Sequence, residues 1–145
     1  MRWFGVACLV VLGGVAWWWS RAEDAHQVER GRQLFVGNQP MMAQLYGQTA
    51  RLPALASRCS NCHAVQPVVA LGTQAFGPRL NRATLTALVP RRGGPPSRFT
   101  QESFCRLLSE GVDPASILLA GAMPRYTLTP YDCQSLWHYL LDQNP

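Results

Sequence analysis

Apolar residues recur along most of this chain at the three- and four-residue spacing of a helix, and no stretch alternates well enough to mark a strand. Asp24 and Gln27 have capping-box spacing, and Val28, Gly31, Leu34 and Phe35 follow on one face until Gly37 and Pro40 end the helix. Met41, Met42, Leu45 and Tyr46 predict a short helical turn closed by Gly47. Pro53 suits the start of another short helix through Ala54-Leu55-Ala56. A Gly- and Pro-rich loop spans Ala64 to Arg79. Thr84–Val89 reads as a short helix stopped by Pro90, and Arg91-Arg92-Gly93-Gly94-Pro95-Pro96 as an exposed loop. Thr100 caps a clearer helix with Phe104, Leu107 and Leu108 on one face and Gly111 as its stop. Val112 to Leu128 is loop. Thr129 and Pro130 then open the best-signalled helix, whose stripe is Cys133, Leu136, Trp137, Leu140 and Leu141. These elements predict an all-α fold of short helices.

One further stretch changes the picture of where the chain works. Trp3–Trp19 is an apolar run between Arg2 and Arg21, which reads as a secretion signal or, at the lower limit of length, a membrane anchor. Trp17, Trp18 and Trp19 would suit a membrane interface. Residues 1–22 are therefore taken as signal peptide or N-terminal anchor and residues 23–145 as one domain, on the periplasmic side in either case. The net charge is +5 with no lysine, and without residues 1–22 it would be +3, from 11 Arg against 8 acids. That balance is too mild to indicate nucleic acid, though it could help docking on an acidic partner.

Candidate chemistry lies in Cys59-Ser60-Asn61-Cys62-His63. Two cysteines with two residues between them and a histidine directly after fit covalent attachment of haem c. Each thiol adds to one vinyl group, and the following imidazole falls beneath the iron as proximal ligand. The competing readings are a redox dithiol, which wants a βαβ setting, and a zinc site, which needs a second ligand pair at suitable spacing; neither requirement is visible. Cys8 belongs to the N-terminal run, leaving Cys105 and Cys133 as either a disulfide or buried free thiols.

Assembled, Gly31 to Phe35, the Cys59–His63 motif, Gly77-Pro78-Arg79-Leu80, Met123-Pro124 and the last helix with Trp137 and Tyr139 resemble the class I c-type cytochromes of bacteria, over about Val28 to Leu141. The resemblance implies the class I cytochrome c fold, with first and last helices crossing near a glycine and aromatics. It implies one covalent haem c with His63 and Met123 as axial metal ligands, and a Pro78 carbonyl that accepts from His63 Nδ1–H. The 23 residues between Phe35 and Cys59 exceed the short form of the family and match a longer proteobacterial form with an insert before the motif. Met41 and Met42 are rival ligands that read better as insert core, and His26 and His138 as surface or packing histidines. Arg79 or Arg125 could pair with a haem propionate, Tyr126 could donate to one or simply pack, and Trp137 reads as helix–helix core.

The expected function is that of an electron carrier, not an enzyme, between a donor and an acceptor redox protein. The alternatives are a haem enzyme or gas sensor with an open sixth position, and a membrane-tethered cytochrome subunit of a respiratory or dehydrogenase complex held by residues 3–19.

Overall fold

The three later helices of this protein begin where a side chain can satisfy the loose backbone N–H groups of the first turn. The structure, a computed structural model, describes residues 21–66 and 76–143. Residues 21–36 form helix α1, which buries Gln27, Gly31, Leu34 and Phe35 along one stripe. Gly37, at φ +79°, ends it. Because α1 is already helical at Arg21, Asp24 lies inside it and is not its cap. Arg21-Ala22-Glu23 are good helix formers and carry the helix back past the capping-box spacing.

Helix α2 is Arg82–Thr86, capped by the buried Asn81, whose side chain accepts from Thr84 N–H while Thr84 Oγ1 accepts in return from Asn81 N–H. It starts and stops earlier than the expected Thr84–Val89. Helix α3 is Gln101–Glu110, with Thr100 and Ser103 as a reciprocal cap and Gly111 in the left-handed region after it. Helix α4 is Pro130–Asp142, with Thr129 as cap. Both match the residues expected from sequence.

Helices α1 and α3 both hold α4 in place. It crosses α1 at Gly31, where a Cβ would lie 2.0 Å from the Ser135 carbonyl oxygen and 2.6 Å from Tyr139 Cβ. Phe35 and Tyr139 stack beside that crossing with centroids 5.6 Å apart, and Arg30 donates from Nε and Nη2 to Asp132 Oδ1 at 2.9 and 2.8 Å. Against α3, Phe104 meets Trp137 at 5.5 Å, and Cys105 and Cys133 are joined as a disulfide with Cα atoms 5.9 Å apart. Of the two readings of these cysteines, the structure has the disulfide.

The expected all-α, class I cytochrome c fold is corrected by two small antiparallel sheets, which make this a mixed α and β architecture. Strand β1, Met42–Gln44, pairs with β4, Arg125–Thr127, in the register Met42↔Thr127, Ala43↔Tyr126 and Gln44↔Arg125. The predicted helical turn at Met41–Tyr46 is thus extended over Met42–Gln44, and the chain turns only at Tyr46-Gly47, where Gln48 N–H donates to Leu45 O at 3.0 Å. Strands β2, Val89–Pro90, and β3, Pro96–Ser97, close the Arg91–Pro95 loop into a hairpin. Strands of two or three residues are shorter than the run over which alternation can be read, and β1 finds its partner more than eighty residues away. Pro53–Ala56 also forms only a turn, its bonds being Ala56 and Ser57 N–H to Pro53 O.

The signal or anchor expected over residues 1–22 lies outside the described residues apart from Arg21 and Ala22. No signal helix is seen among the described residues, and none of their helices is long and apolar enough to cross a membrane.

Candidate functional site

Cys59–Asn61 is one turn of 3-10 helix, and its geometry follows from the spacing of the motif. Cys62 N–H and His63 N–H both donate to the Cys59 carbonyl, at 3.1 and 2.9 Å, so the two cysteines and the histidine are wound onto one tight turn. The loop after them is stitched back at its described ends: Gly77 N–H donates to Cys62 O and Leu80 N–H to Ala64 O, each at 2.8 Å. That return brings Pro78 O to 2.7 Å from His63 Nδ1. A carbonyl can only accept, so Nδ1 carries the proton and Nε2 keeps its lone pair free. Burial holds the His63 pKa below its ordinary value, against the opposing pull of Pro78 O, and so favours the neutral ring. Gly77 makes room for that ring, since a Cβ there would lie 2.3 Å from His63 Cε1.

The turn opens on a cavity of about 660 Å³, within the range of small-molecule sites. Cys59, Cys62, His63, Pro78 and Met123 all line it. Its walls are apolar: Phe35 from α1, Leu85 from α2, Phe104, Leu107 and Leu108 from α3, and Leu136 and Leu140 from α4. Leu45, Leu52 and Ala56 of the insert form a further wall, and the exposed Phe76 stands at its edge. Cys59 and Cys62 are free thiols.

The residues present fit haem c. Two thiols, an imidazole with its free nitrogen and a thioether border one apolar space, and a glycine cradles the imidazole. The competing uses of the motif fit less well. Burial pushes the Cys59 thiol up to about 11, whereas a reactive dithiol or a thiolate ligand wants it lowered. Among the described residues no three His, Cys, Asp or Glu side chains gather as a metal site.

The other expected residues are distributed as follows. Met41 is buried in the core and Met42 is half-exposed, and neither borders the cavity, so Met123 is its one methionine among the described residues. His26 Nδ1 meets the Tyr131 hydroxyl at 3.2 Å, and both His26 and His138 lie off the cavity. Trp137 packs on Phe104 and does not reach the cavity. Tyr126 donates to Ser57 O at 3.0 Å, and burial, with the Cys59 and Cys62 sulfurs beside it, pushes its pKa well above the ordinary phenol value. Arg125 is buried and engaged with backbone carbonyls, so it is not available for a propionate. Arg79 is exposed on the cavity wall.

Sequence alone does not mark Arg58, Arg91 or Asp113, all of which line the cavity. Arg58 adjoins Cys59, which is a usable sign; its stem lies across Gly37 and its buried Nε has no partner. Arg91 sits in a loop of exposed composition, yet it donates from Nη2 to Thr84 O and Ala87 O at 3.0 and 3.1 Å, closing the end of α2. Its guanidinium also lies 4.8 Å from the Phe99 ring centre. Asp113 is 2% exposed; its Oδ1 accepts from Ala115 and Ile117 N–H, both at 2.9 Å, which shapes the loop after α3. Beyond that adjacency of Arg58, no local pattern distinguishes these residues from ordinary surface charge.

Compared with known protein families, curated protein sequences and solved structures, the chain finds no match in any of the three, so its chemistry rests on its own residues.

Proposed function

We propose that this protein is a monohaem c-type cytochrome, an exported electron carrier that passes single electrons between a donor and an acceptor redox protein. The observation that carries this reading is the convergence of Cys59, Cys62, His63 and Met123 on one apolar cavity. Bound there, haem c supplies a one-electron iron couple whose potential is raised by thioether ligation.

The chain's own residues have separable roles in this reading. Cys59 and Cys62 would hold the porphyrin by thioether bonds. His63 would ligate through Nε2, with Pro78 O fixing ring and tautomer from the other nitrogen. Met123 would supply its thioether sulfur as the second protein ligand to the iron. The leucines and phenylalanines of α1 to α4 keep water away, and Arg58, Arg79 and Arg92 are the lining arginines left to meet the propionates. The close crossing of α1 and α4 at Gly31, with Phe35 against Tyr139, also supports the likeness to c-type cytochromes. With an imidazole and a thioether both supplied to the iron by the chain, the site would suit electron transfer more than bond-making chemistry.

The test is the intact mass and spectrum of the full chain produced with export and haem attachment. We expect the mass of the chain plus one haem, a ferric thioether band, and a reduced form that does not bind CO. Met123→Ala should keep the covalent haem, lower the potential and admit CO. A colourless product with the mass of the bare chain refutes the reading.

A further inference from the structure

We propose that Arg125 is a positioning residue that holds Met123 at the sixth axial position; this rests on the reading of Met123 as a ligand. Arg125 is 7% exposed, and a buried guanidinium is costly unless its donors are satisfied. It has no carboxylate at ion-pair distance among the described residues. Instead it donates to three backbone carbonyls, one at the end of α3 and two in the loop that follows it: Nε to Glu110 O at 3.2 Å, Nη2 to Leu119 O at 3.3 Å, and Nη1 to Met123 O at 2.6 Å.

The fork is itself fixed on every side. Its backbone lies in β4, paired with Gln44 of β1. Its Nε takes the terminal carbonyl of α3, at the negative end of that helix. A Cβ on Gly111 would fall 1.9 Å from Arg125 Cζ, so that glycine serves both the left-handed helix stop and the space the guanidinium occupies. Tyr46, from the insert, covers it with its ring centre 5.7 Å away.

The Met123 side chain packs against the edge of the core, but its main chain has few other bonds. Ala120, Gly121 and Ala122 before it are exposed, and its remaining backbone bond is N–H to Ala120 O at 3.1 Å. The Arg125 contact is the shorter of the two and is charge-assisted. A lysine could meet one carbonyl but not three, so Arg125→Lys is not conservative at this position.

The experiment compares wild type, R125K, R125Q and a C105S/C133S variant, all as full-chain holoprotein, by CO binding to the reduced form and by the ferric thioether band. Loss of the three-carbonyl grip should raise the rate of CO binding on the order of tenfold or more in R125K. R125Q should be affected more strongly, and both should lose the thioether band at lower pH than wild type. The disulfide variant should melt earlier but bind CO as slowly as wild type, which separates positioning from general loosening. If the Arg125 variants stay as inert as wild type, or the disulfide variant opens as much as they do, the proposal is overturned while Met123 ligation stands. A wild-type protein that binds CO at once removes Met123 from the iron, and the proposal with it. Should neither Arg125 variant accumulate, cyanide added to the ferric wild type decides. Displacing Met123 should speed proton exchange at the Arg125 guanidinium on the order of tenfold, and unchanged exchange overturns the proposal.

Discussion

Gly31→Ala separates two opposite expectations for a single methyl group. Inside an isolated helix, alanine is favoured over glycine by about 1 kcal/mol, so local propensity alone predicts a more stable protein. In the structure the new Cβ would lie 2.0 Å from the Ser135 carbonyl oxygen and 2.6 Å from Tyr139 Cβ. The first of these is backbone and cannot rotate away, so α1 and α4 must move apart by about 1 Å, enough to forfeit a quarter to a half of each dispersion contact across the crossing. Overpacking of this kind costs about 3 kcal/mol at its upper end, and subtracting the propensity gain leaves a net loss of about 2 kcal/mol. For a domain of this size that is a fall in Tm of roughly 10 °C. Gly47→Ala is the control: at φ +75°, with no atom within 4 Å of the built Cβ, it meets strain but no collision and should cost about 1–2 kcal/mol. Urea unfolding of the two holoproteins, followed by circular dichroism, measures both. If Gly31→Ala is neutral or stabilising, the helices do not cross as described.

Gly77→Ala should drive the His63 ring off its seat, because the added Cβ would lie 2.3 Å from Cε1 and 2.5 Å from Nδ1. We expect a loss of about 1–3 kcal/mol together with a disturbed proximal-ligand spectrum; an unchanged spectrum refutes the cradle. Removing the disulfide by Cys105→Ser with Cys133→Ser should cost roughly 3.5 kcal/mol on the chain-entropy account of a 28-residue separation. Unfolding curves with and without reductant check this, and coincident curves in the wild type refute the cross-link.

Much of the local structure could be read one residue type at a time. Thr100, Gly111, Thr129 and Pro130 punctuate α3 and α4 because a cap is made between residues three or four positions apart. Asp24 shows the limit of that reasoning: the cap spacing is there, but helix-compatible residues ahead of it move the boundary. The candidate site divides in the same way. Cys59, Cys62 and His63 can be recognised because their chemistry depends on spacing within one turn. Arg58, Arg91, Asp113 and the work of Arg125 cannot, since each is defined by a carbonyl or cavity wall supplied from elsewhere in the chain.

What the residue order settles for this protein is therefore short in range: the turn carrying the thiols and imidazole, the caps of the later helices, and the apolar stripes that α1, α3 and α4 bury. The meeting of Ala43 with Tyr126, the approach of Gly31 to the Ser135 carbonyl, and the grip of Arg125 on the Met123 carbonyl depend on folding. Each joins a group to a distant partner or to a backbone atom that every residue shares, and such a partner leaves no mark in the neighbouring sequence. The strands fell outside an all-α expectation because two or three residues are too few to show a period, and β1 and β4 in addition meet only across more than eighty residues of chain.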